Sequence, residues 1–251
     1  MYLWKYWRES RITFVAGMVL VGLLLWAVLK IPLGALAGGN RDPGSPAEIY
    51  LFVAAILTFP LAFLGWQFGT FGVGHDLSWG SGSFLFSRPR SRAFFVWSDW
   101  GFGMAQLLSL VIAANAVLAL AVYRVASGSG PILLAGEPVS MFSIFCLHCM
   151  AGLLFIGLLF GLTYFCSILV KRRGLVLSIG VVLAYLIAKS VVKYKWPSIT
   201  LPDLTLTEFS MTPDGPPAFA DHLAIAIALR AAVALAFPVA AQMLLQTRDI
   251  E

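Results

Sequence analysis

Residues 139–170 read VSMFSIFCLHCMAGLLFIGLLFGLTYFCSILV, a run without Asp, Glu, Lys or Arg. A helix rises 1.5 Å per residue and a hydrocarbon core is about 30 Å thick, so about 20 such residues cross a bilayer. This run exceeds that need, which leaves room for tilt, for extension past the bilayer, or for a break at Gly161. Five other stretches are long and predominantly apolar: Ile12–Leu36, Ile49–Phe71, Trp100–Val125, Gly174–Val192 and Ala220–Leu245. A backbone dissolved in lipid must satisfy its own hydrogen bonds, so each run is predicted to be a helix. The expectation is an all-α polytopic membrane protein. Six transmembrane helices, near 12–36, 49–71, 100–125, 139–170, 174–192 and 220–245, form one domain over 1–251.

Composition agrees. Of 251 residues, 60% are hydrophobic and 12% charged, and the mean hydropathy is +0.88. Soluble chains run about 45–50% apolar and about 25% charged. These values exclude a water-soluble domain, and they exclude a disordered chain, which needs low hydropathy and high charge. Three cysteines argue against a disulfide scaffold. The formal net charge is +5, but the basic residues lie between apolar runs. That placement speaks for membrane orientation, with no nucleic acid partner.

The first ten residues are MYLWKYWRES. Tyr2, Trp4, Tyr6 and Trp7 suit the headgroup layer, and Lys5, Arg8 and Arg11 suit an anionic inner surface. They predict a short interfacial helix over 1–11 that leads into the first span. The apolar run that follows is too long for a signal-peptide core and lacks a clean small-residue cleavage site. Basic clusters at Lys5/Arg8/Arg11, Arg88/Arg90/Arg92 and Lys171/Arg172/Arg173 occupy alternate connections, which places both termini in the cytoplasm. Lys189, Lys193 and Lys195 run against that rule.

The connection over 72–99 is short and strongly patterned. Gly80, Ser81, Gly82 and Ser83 permit a helix start, and Phe84, Leu85 and Phe86 form a compact apolar face. Pro89 ends that helix near Arg88. Three arginines at a spacing of two follow, and Phe94, Phe95, Trp97 and Trp100 mark re-entry into the interface. Such a helix, lying parallel to the membrane, can dock into a groove on a cytosolic partner. The alternative is a positively charged loop that only fixes topology.

The segment GSFLFSRPRSR, Gly82–Arg92, resembles the first cytoplasmic loop of type-2 ABC exporter permeases, six-span subunits that pair with a separate ATPase. Gly82 and Ser83 stand at that family's G-T pair, and Ser87, Pro89, Ser91 and Arg92 match its S-x-P-x-S-R. About a dozen residues match as a motif, and the six-span layout matches in outline. The resemblance implies a coupling helix seated in a cleft of a cytosolic ABC ATPase subunit. The coupling residues would be Gly82, Ser83, Phe84, Leu85, Phe86, Ser87, Arg88, Pro89, Arg90, Ser91 and Arg92. It also implies a second permease subunit, as a homo- or heterodimer, in the cytoplasmic (inner) membrane of a prokaryote. The chain has no G-x-x-x-x-G-K-[ST], so ATP and Mg would be bound by the partner. No catalytic residue, metal or cofactor is expected in this chain, and it is not expected to be an enzyme.

The chain departs from the family pattern in three places. The acidic residue usual just before the G-T pair is missing, with Asp76 the nearest, and Ser98 and Asp99 stand where a basic residue often follows. The external loop 193–219 contains Pro197, Pro202, Pro213, Pro216 and Pro217, which rules out a long helix. A re-entrant element at Ala218–Leu229 or an extended loop would fit.

Other polar residues stand out against the apolar background. Asp99 lies near the cytoplasmic end of the third span and reads as interfacial. Gln106 and Asn115, further along it, either join helices or face a substrate pathway. Arg230, about nine residues into the last span, could hold an anionic headgroup or a substrate carboxylate, or it could snorkel to the outer interface. Cys146-Leu147-His148-Cys149 offers two thiols where a structural zinc site wants four ligands, so no metal is expected there. His148 and His222, on two different spans, could ligate haem. That leaves a second reading, a haem-bearing or accessory anchor subunit of a redox or other membrane complex.

Overall fold

The computed structural model describes residues 2–30, 46–80, 91–125, 133–134, 137–138, 140–170, 173–196, 209–210, 218–219 and 223–247. Seven helices follow in chain order among them: α1 (Tyr2–Lys30), α2 (Pro46–Phe68), the short α3 (Val73–Ser78), α4 (Arg92–Val125), α5 (Met141–Val170), α6 (Gly174–Lys195) and α7 (Leu223–Thr247). Two antiparallel pairs of two-residue strands lie on the connections. β1 (Leu133–Leu134) pairs with β2 (Glu137–Pro138), and β3 (Phe209–Ser210) pairs with β4 (Ala218–Phe219) with Phe209 opposite Phe219. Five helices, α1, α4, α5, α6 and α7, are long and apolar enough to cross a membrane. The chain is a polytopic helical membrane protein. α2 has 23 residues at the place of the expected second span, and its apolar stretch Val53–Phe68 is shorter than the other five.

The helix bounds differ from the sequence reading where side chains act locally. α1 is uninterrupted, with no break between residues 2–11 and the span, because nothing between Tyr2 and Ile12 disfavours a helix. Tyr6 is buried against neighbouring helices; its ring meets Phe102 edge-on at 5.5 Å and its hydroxyl donates to the Phe68 carbonyl at 3.3 Å. α4 starts at Arg92, eight residues before Trp100, because Ser91 caps it: the Phe94 amide donates to Ser91 Oγ at 3.2 Å. α5 passes Gly161 without a break. Within Ala218–Leu229, Ala218–Phe219 form β4 and α7 runs unbroken from Leu223.

α5 is the hub. It packs against α2, α3, α4, α6 and α7, while α1 lies against α2 and α4. About two-thirds of its apolar window is buried (67%), against 6% for α6, which packs chiefly against α5. Close approach explains this. Gly65 and Gly69 of α2 and its C-terminal turn form a G-x-x-x-G pair, the spacing that lets two helix backbones touch. A Cβ on Gly65 would come within 2.7 Å of Ile156, and one on Gly69 within 2.6 Å of the Phe160 carbonyl and 2.7 Å of Thr163. On the opposite side of α5, a Cβ on Gly161 would come within 3.2 Å of Phe237 of α7. Polar groups add inter-helix bonds: Gln106 Nε2 donates to Ser10 Oγ at 3.0 Å, joining α4 to α1, and Tyr50 donates to Asn115 Oδ1 at 3.1 Å, joining α2 to α4.

Substituting Gly69→Leu is expected to cost about 3 kcal/mol or more, because the clash is with backbone that cannot yield. Gly22→Leu, where no atom lies within 4 Å, should leave stability unchanged. Thermal unfolding of both variants in detergent checks this, and equal midpoints would refute the α2–α5 contact.

Candidate functional site

The ends of α2, α5 and α7 and the starts of α1, α4 and α6 gather on one face of the bundle, and α3 lies among them. The chain leaves α2 through a turn at Gly69–Phe71, forms α3, and passes through Trp79 and Gly80 towards residues 81–90 before α4 begins. A six-residue helix cannot hold itself together, since nucleation alone exceeds what one turn returns. Its stability must come from what surrounds it.

Four elements supply it. From α4, Asp99 Oδ2 accepts the first amide of α3, Val73 N, at 2.8 Å and so caps the helix. Gly72 makes this approach possible: its φ is +76°, and a Cβ there would fall on Asp99 Oδ2. From α1, Lys5 pairs with Asp76, which is 3% exposed, and lies 3.7 Å from Glu9 one turn along. From α5, Gly74 sits against Ser167, and Tyr164 and Ile168 join Val73 and Leu77 in an apolar cluster. From α7, Ala241 and Leu245 close that cluster, together with Phe95 and Val96 of α4.

The other stem, the start of α4, is also tied. Arg92 Nη1 donates to the Leu245 carbonyl, and Trp97 Nε1 donates to Gln242 Oε1 at 2.7 Å. Both bonds reach the last turns of α7. On the outer edge of α3, Trp79 Nε1 donates to His75 Nε2 at 3.0 Å and Ser78 Oγ to the His75 carbonyl at 2.7 Å. A cleft of about 220 Å³ opens beside them, lined by Thr70, Gly74, His75, Ser78, Trp79, Ser167, Gly174 and Leu175.

Of the residues singled out by sequence, Ser91 and Arg92 lie at this site, as cap and anchor of α4. Gly82, Ser83, Phe84, Leu85, Phe86, Ser87, Arg88, Pro89 and Arg90 fall outside the described residues, as does His222. Asp99 is fully buried, with Oδ2 on the first amide of α3. Gln106 and Asn115 are buried and bond to other helices or to their own: Asn115 Nδ2 also donates to the Val111 carbonyl at 2.9 Å. Arg230 is 1% exposed, about 10 Å along α7 from its start, and does not reach the surface. His148 is buried with its ring 6.0 Å from that of Tyr50; Cys149 is buried beside it and Cys146 is exposed.

The sequence reading missed Lys5, Glu9, His75 and Asp76 as a group. The available signal was the scarcity of acidic residues, which made Glu9, Asp76 and Asp99 conspicuous beside apolar spans. Lys5 and Glu9 also sit at i,i+4 on one helix face. Comparison of the chain with protein-family models, with curated proteins and with solved structures finds no match.

Gly72 and Gly80 both have positive φ, +76° and +77°, so alanine at either should cost about 1–2 kcal/mol in backbone strain. Gly80 has open space around it, while Gly72 carries the Asp99 contact as well. Gly72→Ala is therefore expected to lower the unfolding midpoint clearly more than Gly80→Ala. Equal losses would sink the capping role of Asp99.

Proposed function

We propose that this chain is the membrane permease subunit of an ABC transporter of the type-2 exporter class, and that Gly82–Arg92 is the lever through which a cytosolic ATPase drives it. One observation carries the reading: both stems of that segment are clamped to the bundle. α3 is held by α1, α4, α5 and α7, and the start of α4 is held by α7. A load applied between Gly80 and Ser91 reaches four membrane helices through an ion pair, a cap, an apolar cluster and an arginine–carbonyl bond. A loop that only sets orientation needs its positive charges and none of these ties.

Under this proposal Phe84, Leu85 and Phe86 seat the lever in an apolar cleft of the partner, and Arg88 and Arg90 meet acidic groups at its rim. ATP and Mg are bound by the partner, and a second permease subunit completes the pathway. Nucleotide-driven closure of two ATPase subunits shifts the stems together, and the attached helices rearrange at the interface between two permease subunits.

Affinity purification from native membranes in mild detergent is expected to recover a P-loop ATPase, which is lost when Phe84, Phe86 and Arg88 are substituted. Charge reversal at Arg88, Arg90 and Arg92 should separate ATP hydrolysis from transport in complexes that still assemble. Coupling that survives the reversal overturns the lever assignment. Recovery of a redox complex without an ATPase replaces the transporter reading with that of an anchor subunit.

A further inference from the structure

Glu9 of α1 and His75 and Asp76 of α3 each present a ligand atom within 4.8 Å of the other two. Asp76 is buried and the other two are half-buried. Metal–nitrogen and metal–oxygen bonds of about 2.1 Å place ligand atoms about 3.4 Å apart, so each atom need move inward by less than about 1 Å to share one ion. Among the described residues, the Lys5 ammonium pairs with Asp76 and approaches Glu9. A divalent ion in place of the ammonium brings two positive charges to the two carboxylates. Lys5 is one-third exposed and has four methylenes, so its ammonium can swing out to water while its stem stays in place.

We propose that Glu9, His75 and Asp76 form a binding site for a divalent transition-metal ion, which competes with Lys5 for the two carboxylates. One imidazole with two carboxylates suits zinc, cobalt, manganese or iron(II); magnesium and calcium favour oxygen ligands alone. The 220 Å³ cleft is lined by His75 and Trp79, so the imidazole borders open space. Binding also opens the Trp79–His75 bond. A neutral imidazole has one lone-pair nitrogen; a metal on Nδ1 moves the proton to Nε2, and a metal on Nε2 takes the place of the indole directly. Trp79 is 69% exposed, so this release is cheap. The filled site joins α1 to α3 through Glu9 and frees Lys5. The stem of the 81–90 segment is thereby regulated by a metal ion. The site itself does not depend on the transporter reading.

The test is titration of the purified full-length protein in detergent with Co²⁺, followed by visible absorption and equilibrium dialysis. Cys146→Ser and Cys149→Ser form the background, which removes thiol binding. One Co²⁺ per chain is expected. Glu9→Gln and His75→Ala should each weaken it at least about tenfold, as loss of a ligand does. Lys5→Met should tighten it at least about tenfold, a gain that misfolding cannot produce. Absence of Co²⁺ binding, binding unchanged by His75→Ala, or affinity unchanged by Lys5→Met overturns the site. None of these outcomes requires an ATPase partner, so they separate from those that test the transport proposal.

Discussion

Inside lipid the surroundings of a helix are as apolar as its own side chains, so no hydrophobic force draws one span to the next. What holds α5 among its neighbours is contact distance. Gly65 and Gly69 let α2 touch the α5 backbone, Gly74 lets α3 settle on Ser167, Gly161 admits Phe237, and Gly174 folds α6 back onto Ser167. Each position has a neighbour where a Cβ would stand, so dispersion contacts accumulate over the length of the helix. The arrangement of the other helices follows from this. α2, α4 and α7 surround α5, α1 is carried on α2 and α4, and α6 is left with most of its surface outward.

The second constraint is electrostatic. Charged groups taken out of water into a protein interior are costly unless paired or hydrogen-bonded. This chain nonetheless puts Lys5, Glu9, Asp76 and Asp99 within one small region around a six-residue helix. Asp99 satisfies the first amide of α3, and Lys5 answers Asp76. The compensation is local and spans several elements, so α3 holds its place only when α1, α4 and α5 are all in position. Asp99, capping from 26 residues away, makes the entry of α3 and the first turns of α4 a single mechanical piece.

The spans were legible because hydropathy needs no tertiary information. Uninterrupted apolar runs located α1, α4, α5, α6 and α7, and the run at Ile49–Phe71 located α2. The misplaced bounds share one cause. Arg92–Asp99 was read as loop because Arg, Ser and Asp interrupt the apolar pattern, yet Ser91 caps the helix and Asp99 turns inward to another segment. The aromatic residues near the N-terminus read as a headgroup belt, but Tyr6 has a donor to spend on Phe68 and a ring to place on Phe102, so it packs. Arg230 could be seen as an intramembrane charge, but not whether it faces inward, because α7 has nearly uniform hydropathy and its packing side is set by Gly161 on α5. The charged site was illegible for a different reason. Its members are separated by more than sixty residues, and nothing in a single sequence joins Lys5 to Asp76.

The two kinds of anchor at the site differ in how they respond to change, and that difference bears on function. The apolar cluster of Val73, Leu77, Phe95, Tyr164, Ile168 and Leu245 and the Asp99 cap are shielded from water and insensitive to ions in solution. The Lys5–Asp76 tie faces water on its lysine side and is open to screening by salt. One set of contacts therefore keeps the stems of the 81–90 segment rigid, and the other ties α1 to them by a bond that can be exchanged. A segment that transmits force requires the first. A segment that is also regulated requires the second, and both meet at one short helix only because Gly72 and Gly74 let it sit that deep between α4 and α5.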